Sequence, residues 1–185
     1  MKKISTDLPD VWELQPQLFD DWRGSFMETY NERLFAELGI SDTFVQDNHS
    51  CTLKQGTARG LHYQLNREQA KLCRVIEGEV LDIAVDIRLG SPTFGKAARV
   101  VLSAAKRNMI YIPKGFAHGF LVTQEPAQFL YKCSAFYSKP DERGILWGDT
   151  ALNIDWGATS PLLHERDAVF PKLADVPPTD LPRYR

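Results

Sequence analysis

The sequence predicts an all-β fold, a jelly roll (a double-stranded β-helix or sandwich), with one or a few short peripheral helices. Apolar residues alternate with polar ones in several segments, most clearly at Leu81, Ile83, Val85 and Ile87. This period of two is typical of a strand that buries one face. Turn residues separate such segments at intervals of roughly 8 to 12 residues, as they do in sandwiches and barrels.

The length and composition indicate a single globular domain. A chain of 185 residues is long enough to bury a substantial core. We therefore predict one domain over residues 1–185, with its core at about 43–137 and with N- and C-terminal segments that wrap this core.

The charge and the cysteines exclude several classes of protein. The net charge of −2 provides no general basic field, so we expect no nucleic-acid partner. No apolar run approaches the roughly 20 residues of a membrane-spanning helix, and the N-terminus lacks the apolar stretch of a secretory signal. The three cysteines are an odd number without metal-type spacing, which is typical of a reducing compartment. The sequence therefore predicts a cytoplasmic protein without membrane association.

The elements follow in order along the chain. Short extended segments are predicted around residues 18–19 and 25–27. A helix follows, with Asn31 as its N-cap, an apolar stripe that includes Phe35, and Gly39 as its stop. We expect Glu77 and Gly78 to end the strand that begins at residue 71. The predicted strands after the helix are 44–48, 51–53, 59–64, 71–76, 81–87, 98–102, 109–112, 119–122 and 128–135.

The segment from Arg59 to Gln64 is rich in groups that can perform chemistry. Strand alternation predicts Gly60, His62 and Gln64 on one face, and the other three residues, Arg59, Leu61 and Tyr63, on the opposite face. Histidine has an unperturbed pKa near neutrality, so His62 on a strand that lines a cavity is a candidate base. From this segment alone, a half-buried structural histidine is an equally good interpretation.

A second segment, from Pro113 to Phe120, contains the pattern Pro-x-Gly-x-x-His that ends at His118. This pattern is the second half-signature of cupin-type jelly rolls. In metal-binding cupins the first half-signature supplies His-x-His and a glutamate, whereas here it reads His62-Tyr63-Gln64 and Glu77 lies beside a glycine. Two histidines without a placed carboxylate make a poor transition-metal site, so we predict the fold without a metal.

Other polar residues on predicted strands are candidates for binding and catalysis. Lys71 can supply a positive charge for a developing oxyanion or for a phosphate, and Tyr131 can donate a proton. Asp167 can orient the His62 imidazole. The structural alternatives are a lysine that extends to solvent, a core tyrosine, and an aspartate that caps a helix or is a surface charge.

Binding of a phosphorylated nucleotide is indicated by a different set of residues. Arg23 and Arg59 can clamp a diphosphate, because guanidinium groups bind phosphate oxygens in pairs. Gln46 and Asn48 share a strand face and can recognise a base that carries an amide. The glycine-rich phosphate loops of many nucleotide-binding enzymes are not in the sequence.

These positions also belong to longer motifs, which occur in the order Phe19-x-Asp21-x-Arg23-Gly24-x-Phe26-x-Glu28, Gln46-Asp47-Asn48-x-Ser50, Arg59 to Gln64, Gln69-Ala70-Lys71-Leu72, Pro113 to Phe120, Tyr131-Lys132 and Trp147-x-Asp149-x-x-Leu152-x-Ile154-x-Trp156. In these motifs, from about residue 4 to 180, the chain closely resembles the dTDP-4-dehydrorhamnose 3,5-epimerase family. The resemblance implies a metal-free jelly-roll homodimer that needs no cofactor. Strands near the N-terminus would help to complete the site of the partner.

The resemblance also implies a reaction. The substrate would be dTDP-4-dehydro-6-deoxy-D-glucose, epimerised at C3 and C5 to dTDP-4-dehydro-L-rhamnose. This step belongs to the synthesis of dTDP-rhamnose, a donor for bacterial surface polysaccharides such as the O-antigen of lipopolysaccharide.

By position, the resemblance implies that His62 is the base, Tyr131 the acid, Asp167 the partner of His62, and Lys71 the group that faces the enolate oxygen. Tyr137 would stack on the thymine. The residues that would hold the nucleotide and the sugar are Arg23, Glu28, Gln46, Asp47, Asn48, Arg59, Lys71, His118, Tyr137, Glu142 and Arg166. The chain departs from the family where His164 and Arg166 replace the usual serine and lysine.

Three other functions are compatible with the motifs. The first is an epimerase of one carbon, or a keto-isomerase, that acts on another dTDP-deoxysugar. The second is a metal-dependent cupin, and the third is a sugar-binding roll without catalysis.

Overall fold

The computed structural model describes residues 1–184, so Arg185 at the end of the predicted domain lies outside the described residues. No helix in this described range is long and apolar enough to cross a bilayer. The strands are β1 (Lys2–Ser5), β2 (Trp12–Gln15), β3 (Leu18–Asp21), β4 (Gly24–Met27), β5 (Gln46–Thr52), β6 (Ala58–Gln64), β7 (Lys71–Asp86), β8 (Ala97–Ser103), β9 (Met109–Ile112), β10 (Phe116–Cys133) and β11 (Glu142–Gly144).

Helices are short and peripheral. The two α-helices are α1 (Glu32–Glu37) and α2 (Glu165–Ala168), and short 3₁₀ turns cover Lys139–Asp141, Thr150–Leu152, Leu173–Asp175 and Pro178–Asp180. The Asn31 side chain accepts hydrogen bonds from the N–H groups of Arg33 and Leu34, so the predicted cap is confirmed. Gly39 follows the helix with φ +80°, as its predicted role as the stop requires.

The antiparallel pair of β7 and β10 connects two halves of a rolled sheet. The first residues of β7 also pair with β9, and its last residues pair with β8. β10 pairs with β6 near its start and with β5 near its end. The strand order is β1-β2-β9-β7-β10-β6-β11, with β5 and β8 attached to the long strands. All of these pairings are antiparallel, and the predicted all-β jelly roll is confirmed.

The long strands correct two predictions. β7 continues past Gly78 to Asp86, and β10 joins the two strands predicted at 119–122 and 128–135. The register between β7 and β10 shifts repeatedly near Gln124, opposite the bend at Gly78, where φ is +74°. A turn glycine therefore bends the strand here instead of ending it, because the partner strand bends at the same place and pairing resumes beyond it.

Three apolar clusters stabilise the roll. The first fills its interior and includes Val75, Ile110 and Phe129. The second lies between the second half of the sheet and the C-terminal segment, and the predicted stripe Leu81, Ile83, Val85 and Ile87 belongs to it. The third holds α1 and the N-terminal strands against the first half of the sheet. Terminal segments therefore cover both outer faces, as a sheet with two buried faces requires.

Candidate active site

A cavity of about 400 Å³ opens on the concave side of the roll, where β5, β6, β7 and β10 meet. A smaller cavity of about 120 Å³ adjoins it. His62, Lys71, Tyr131 and Glu142 line both cavities, so one extended ligand can reach all four side chains. Concave sites with a few convergent polar groups are the usual form of a small-molecule site.

His62 is hydrogen-bonded to Asp167 on the wall of the larger cavity. The Nε2–H of His62 donates to Oδ1 of Asp167 at 2.8 Å, and the backbone N–H of Gly60 donates to Oδ2 at 3.0 Å. Burial alone raises the pKa of Asp167, but these two hydrogen bonds and the neighbouring charges, including Arg166, together outweigh burial and lower it from its usual value. Asp167 is therefore an anion at neutral pH, and the second imidazole nitrogen, Nδ1, is left to accept a proton.

Gly60 has a structural reason to be glycine. Its φ is +112°, and a Cβ atom there would lie 2.6 Å from the Cα atom of Gly119 and from the carbonyl oxygen of His118. A side chain would separate β6 from β10 at the site itself. The close approach of these two strands places the Cα atoms of His62 and His118 opposite each other.

The predicted face of Arg59 is wrong. Leu61 and Tyr63 pack in the second apolar cluster, as expected, but Arg59 lines the larger cavity together with His62. The register between β6 and β10 shifts between His118 and Phe120, which changes the side on which Arg59 lies. Simple alternation along β6 cannot predict this, because the bulge depends on the partner strand.

A chain of polar groups runs from the interior to the cavity. Asp82 is fully buried, and Nε2 of His118 lies within hydrogen-bond distance of its carboxylate oxygens, at 3.0 and 3.1 Å. On the other side of the same ring, Nδ1 of His118 lies 3.5 Å from Nζ of Lys71. Lys71 is therefore the cationic end of this chain, on the wall of both cavities.

Tyr131 stands on β10 between Asn48 of β5 and Cys73 of β7. Burial raises the pKa of its phenol to about 12. The hydroxyl consequently keeps its proton at neutral pH, which is the state required of a proton donor.

A second polar group lines the boundary between the two cavities. The Tyr137 hydroxyl and the Arg166 guanidinium both donate to Oε2 of Glu142, at 3.0 and 2.8 Å. The backbone N–H of Tyr137 donates to the side chain of Gln46, whose amide in turn donates to Asn48. These five residues were predicted to contact the nucleotide or sugar, and the structure brings them together.

Arg166 also approaches the His62–Asp167 pair. Its NH2 group lies 3.3 Å from Nε2 of His62, and its Nε lies 3.4 Å from Oδ1 of Asp167. Nε2 of His62 already donates to the Asp167 anion, so the contact between the two nitrogens joins two donors and is not a hydrogen bond. His164 caps α2 by accepting the N–H of Arg166, and it lines the same cavity.

Three predicted contacts lie elsewhere in this chain. Arg23 is in the exposed hairpin of β3 and β4, where it pairs with Asp21, and Glu28 follows that hairpin and accepts from Asn31. Asp47 lies on the opposite face of β5 from Gln46 and Asn48, and it pairs with Lys132 at 2.9 Å. None of the three lines either cavity of the described chain.

Two residues of the site were not predicted as functional. Asp82 is one of them, because the bend in β7 that brings it to His118 is not visible in the sequence. Ser50 belongs to a quoted motif, and its buried Oγ atom has no hydrogen-bond partner among residues 1–184 while the residue lines the larger cavity. An unsatisfied buried hydroxyl beside a cavity indicates a ligand contact.

The residues that best approximate a metal site are Cys73, Asp82 and His118, whose donor atoms lie within 4.8 Å of one another. A cation there would have to displace the bond between His118 Nε2–H and Asp82. It would also lie close to the Lys71 ammonium group, on the other side of the same imidazole. These side chains therefore fit a carboxylate-bound imidazole better than a divalent cation.

The fold and the cavity define the class of protein: a cupin-like jelly roll whose concave site has the residue types of an acid–base enzyme. Comparison with known proteins then defines the family. The family model for dTDP-4-dehydrorhamnose 3,5-epimerase matches residues 5–175. The chain belongs to this family.

Individual relatives agree with this assignment. The chain is 51% identical to a dTDP-4-dehydrorhamnose 3,5-epimerase of Shigella flexneri, covering 95% of this chain and 98% of that one. It is 48% identical to the corresponding protein of Pseudomonas aeruginosa, with the same coverage of both chains. Among solved structures, the dTDP-6-deoxy-D-glucose-3,5-epimerase of Legionella pneumophila, in complex with dTDP-4-keto-L-rhamnose, is 43% identical with a TM-score of 0.96. That similarity covers 100% of this chain and 98% of the Legionella chain.

Proposed function

We propose that this chain converts dTDP-4-dehydro-6-deoxy-D-glucose to dTDP-4-dehydro-L-rhamnose by inverting C3 and C5 of the sugar. The observation that carries the proposal is the convergence of His62, Tyr131 and Lys71 on one cavity, with His62 paired to the Asp167 anion. A base, an acid and a cation are the three groups that such an inversion needs.

The first step is removal of a proton. The C–H bond beside the 4-keto group is a far weaker acid than an imidazolium ion, whose pKa is about 6.5. His62 accepts this proton at Nδ1 while the electron pair of the C–H bond moves toward the ketone oxygen. Lys71 stabilises the enolate oxygen where the negative charge develops, and Asp167 stabilises the imidazolium that forms.

The second step returns a proton to the opposite face of the sugar. Tyr131 donates its phenolic proton to the carbon, and the electron pair of the enolate forms the new C–H bond. His62 then loses its proton to solvent and Tyr131 regains one, so the site returns to its first state. The 4-keto group acidifies both C3 and C5, so one base and one acid serve both centres without a redox cofactor.

The remaining polar groups bind the nucleotide. Arg59 and Arg166 offer two guanidinium groups to the diphosphate, which favours bidentate partners. Tyr137 is half-exposed beside Gln46 and Asn48, where its ring can stack on thymine while the amides reach the base edge. Glu142 and His118 complete the set of sugar contacts.

We propose a homodimer in which the hairpin of β3 and β4 completes the partner's site. This hairpin pairs with no other strand of the described chain. It exposes Trp22, Phe26 and Phe19, with 93%, 68% and 55% of their surfaces accessible. An apolar hairpin tip is favourable in water only if another surface covers it. Arg23 and Glu28 would then contact a substrate bound to the other protomer.

We propose that the reaction takes place in the cytoplasm and that it requires no metal. The nucleotide-linked substrate and the odd number of cysteines support this location. The fit of Asp82, His118 and Lys71 to one another supports metal independence. Activity should survive dialysis against a chelator, and its loss with recovery on adding one metal would contradict the proposal.

The experiment that tests the function is proton NMR of dTDP-4-dehydro-6-deoxy-D-glucose with the enzyme in deuterated water. We expect deuterium at both C3 and C5, and a product with the rhamno configuration. A second candidate is epimerisation at one carbon, because the chain is also 31% identical, with a TM-score of 0.84, to a 3'-monoepimerase of Streptomyces bikiniensis in complex with dTDP-quinovose. The similarity covers 91% of this chain and 86% of that one. Label and inversion at C3 alone would favour this second candidate.

A further inference from the structure

Asp82 is a buried carboxylate that the proposed reaction does not use. Its side chain is inaccessible to solvent, and within the described residues its only hydrogen-bond partner is Nε2 of His118, at 3.0 and 3.1 Å from the two carboxylate oxygens. On the far side of that ring, Nδ1 lies 3.5 Å from Nζ of Lys71. The three side chains thus form a line from the interior of the roll to the cavity.

We propose that Asp82 is a positioning residue for Lys71, because it holds His118 in the tautomer whose unprotonated Nδ1 faces the lysine ammonium group. The inference rests on the proposed function, in which Lys71 stabilises the enolate.

The hydrogen-bonding capacities of the three groups require this arrangement. A carboxylate anion only accepts and an ammonium group only donates, so an imidazole between them satisfies both when Nε2 carries the hydrogen and Nδ1 does not. One N–H of Lys71 is then used by His118, and two remain for the substrate. Burial lowers the pKa of His118, and Lys71 lowers it further, while Asp82 opposes both. The neutral imidazole is therefore the favoured form.

Packing fixes the plane of the ring. His118 stacks on Phe129 with 6.1 Å between ring centroids and 26° between planes, and Phe129 stacks on Phe120 at 4.3 Å. The ring cannot rotate freely to follow Lys71, so the tautomer decides whether the lysine meets an acceptor or a donor.

The two ends of the line come from opposite sides of the bend in β7. Lys71 begins this strand and Asp82 follows Gly78, so the strand bend brings both to His118 of β10. Asp82 can therefore affect the reaction through His118 and Lys71, at a distance from the sugar.

The substitution Asp82→Asn tests the inference with little change of volume. An asparagine can present its NH₂ group to Nε2 of His118, which permits the tautomer with hydrogen on Nδ1 and confronts Lys71 with a donor. We expect kcat to fall roughly 10- to 100-fold, as it does when a residue that orients a functional group without touching the substrate is replaced. KM should change less than about threefold.

Nitrogen-15 NMR of histidine-labelled protein reports the tautomer directly. We expect the wild-type His118 ring, assigned by loss of its signals in His118→Phe, to carry hydrogen on Nε2, and the Asp82→Asn ring to carry it partly or wholly on Nδ1. A wild-type ring with hydrogen on Nδ1, or on both nitrogens, would overturn the inference. This measurement needs no variant of Asp82, so it decides the question even if Asp82→Asn does not fold.

A double-variant cycle tests whether Asp82 acts through Lys71. In a Lys71→Gln background, Asp82→Asn should cause little further loss of kcat; independent, multiplicative losses would overturn the inference. Asp86→Asn is the control, because Asp86 is also a buried aspartate of β7 but binds Arg88, Ser91 and Thr93. It should lower stability without changing the His118 tautomer. Failure of the proposed function is recognised separately. If the wild-type protein had no epimerase activity, the proposed function would be contradicted, while the His118 tautomer measured by NMR would still stand.

Discussion

At the scale of single residues, the proposed reaction depends on a histidine whose two ring nitrogens have different tasks. Asp167 accepts from Nε2–H of His62, and the backbone N–H of Gly60 holds the same carboxylate in place. The tautomer of His62 is thereby fixed, with Nδ1 free to accept a proton. Replacement of the Asp167 carboxylate by an amide should remove this control of the His62 tautomer while it keeps the volume of the side chain.

Asp167→Asn should therefore lower turnover by roughly 10²- to 10⁴-fold with little change of fold. The amide can keep the bond to Gly60, but it does not stabilise an imidazolium ion and it permits the wrong tautomer. Steady-state kinetics and the thermal midpoint measure the two effects. Glu165→Gln, an exposed neighbour in α2, is the control and should keep normal turnover. Near-normal turnover of Asp167→Asn would remove Asp167 from the mechanism.

Ser50 tests whether the larger cavity binds the sugar nucleotide. Its buried hydroxyl has no partner among the described residues, so Ser50→Ala should leave stability unchanged or slightly higher. Loss of one hydrogen bond to substrate should raise KM roughly three- to tenfold. Ser103→Ala, which removes an acceptor of the Lys106 N–H, should do the reverse and lower stability at constant KM. An unchanged KM for Ser50→Ala would exclude its contact with substrate.

Individual site residues could be predicted from the sequence where their chemistry made them candidates and the family motifs assigned them a role. His62, Lys71, Tyr131 and Asp167 carry groups suited to proton transfer, and the structure brings all four to one cavity. The side on which Arg59 lies and the partner of Asp82 depend on strand bulges, which arise between strands that are distant in sequence. The alternation of polar and apolar residues along one strand therefore cannot predict either feature.

At the scale of elements, the sequence predicts strands well where alternation is uninterrupted. β6, β8 and β9 lie within one residue of their predicted bounds at each end. Errors occur in β5 (Gln46–Thr52), which is one strand where two were predicted at 44–48 and 51–53, because pairing with β10 continues across both segments. They also occur in β7 and β10, where Gly78 and Pro126 resemble turn residues although both strands continue. Whether such a residue bends a strand or ends it is decided by the partner strand.

The hairpin of β3 and β4 gives a prediction about assembly. A double variant, Trp22→Ser with Phe26→Ser, should shift the protein toward monomer and lower activity, because the apolar surface that the partner would cover is lost. Sedimentation velocity over a range of concentrations measures the shift. Leu53→Ser is the control, since Leu53 is 73% exposed outside the hairpin. A wild-type monomer with full activity at nanomolar concentration would contradict the proposed dimer.

At the scale of the whole molecule, stability should depend on pH at both extremes. Burial alone raises the pKa values of Asp86, Asp141 and Asp167, but hydrogen bonds outweigh it and lower them. Their contribution is present above the unfolded value of about 3.9 and is lost as the pH falls below it. Burial raises the pKa values of Tyr63 and Tyr131 to about 12. Their contribution is present below the unfolded value of about 10 and is lost as the pH rises through the folded value.

Urea unfolding at several pH values measures this dependence. For the proposed single domain we expect one cooperative transition, with a midpoint that falls below about pH 4 and above about pH 10. Asp86→Asn should be less stable at neutral pH and should lose less stability on acidification. An acid limb with the wild-type slope in Asp86→Asn would show that other carboxylates cause it.

The central claim is that His62 removes protons from one face of the sugar and Tyr131 returns them to the other. In Tyr131→Phe the base and the Lys71 charge remain, so the enolate should still form and His62 should exchange its proton with solvent. Neither exchange nor inversion should occur in His62→Ala, because the proposed base is then missing.

The most direct test is NMR of dTDP-4-dehydro-6-deoxy-D-glucose with each variant in deuterated water. We predict deuterium at C3 and C5 with little inversion for Tyr131→Phe, and neither label nor inversion for His62→Ala. Inversion of both carbons by Tyr131→Phe at nearly the wild-type rate would contradict the account, because another group would then be the acid. Loss of exchange in Tyr131→Phe would also contradict it, because Tyr131 would then be needed to form the enolate.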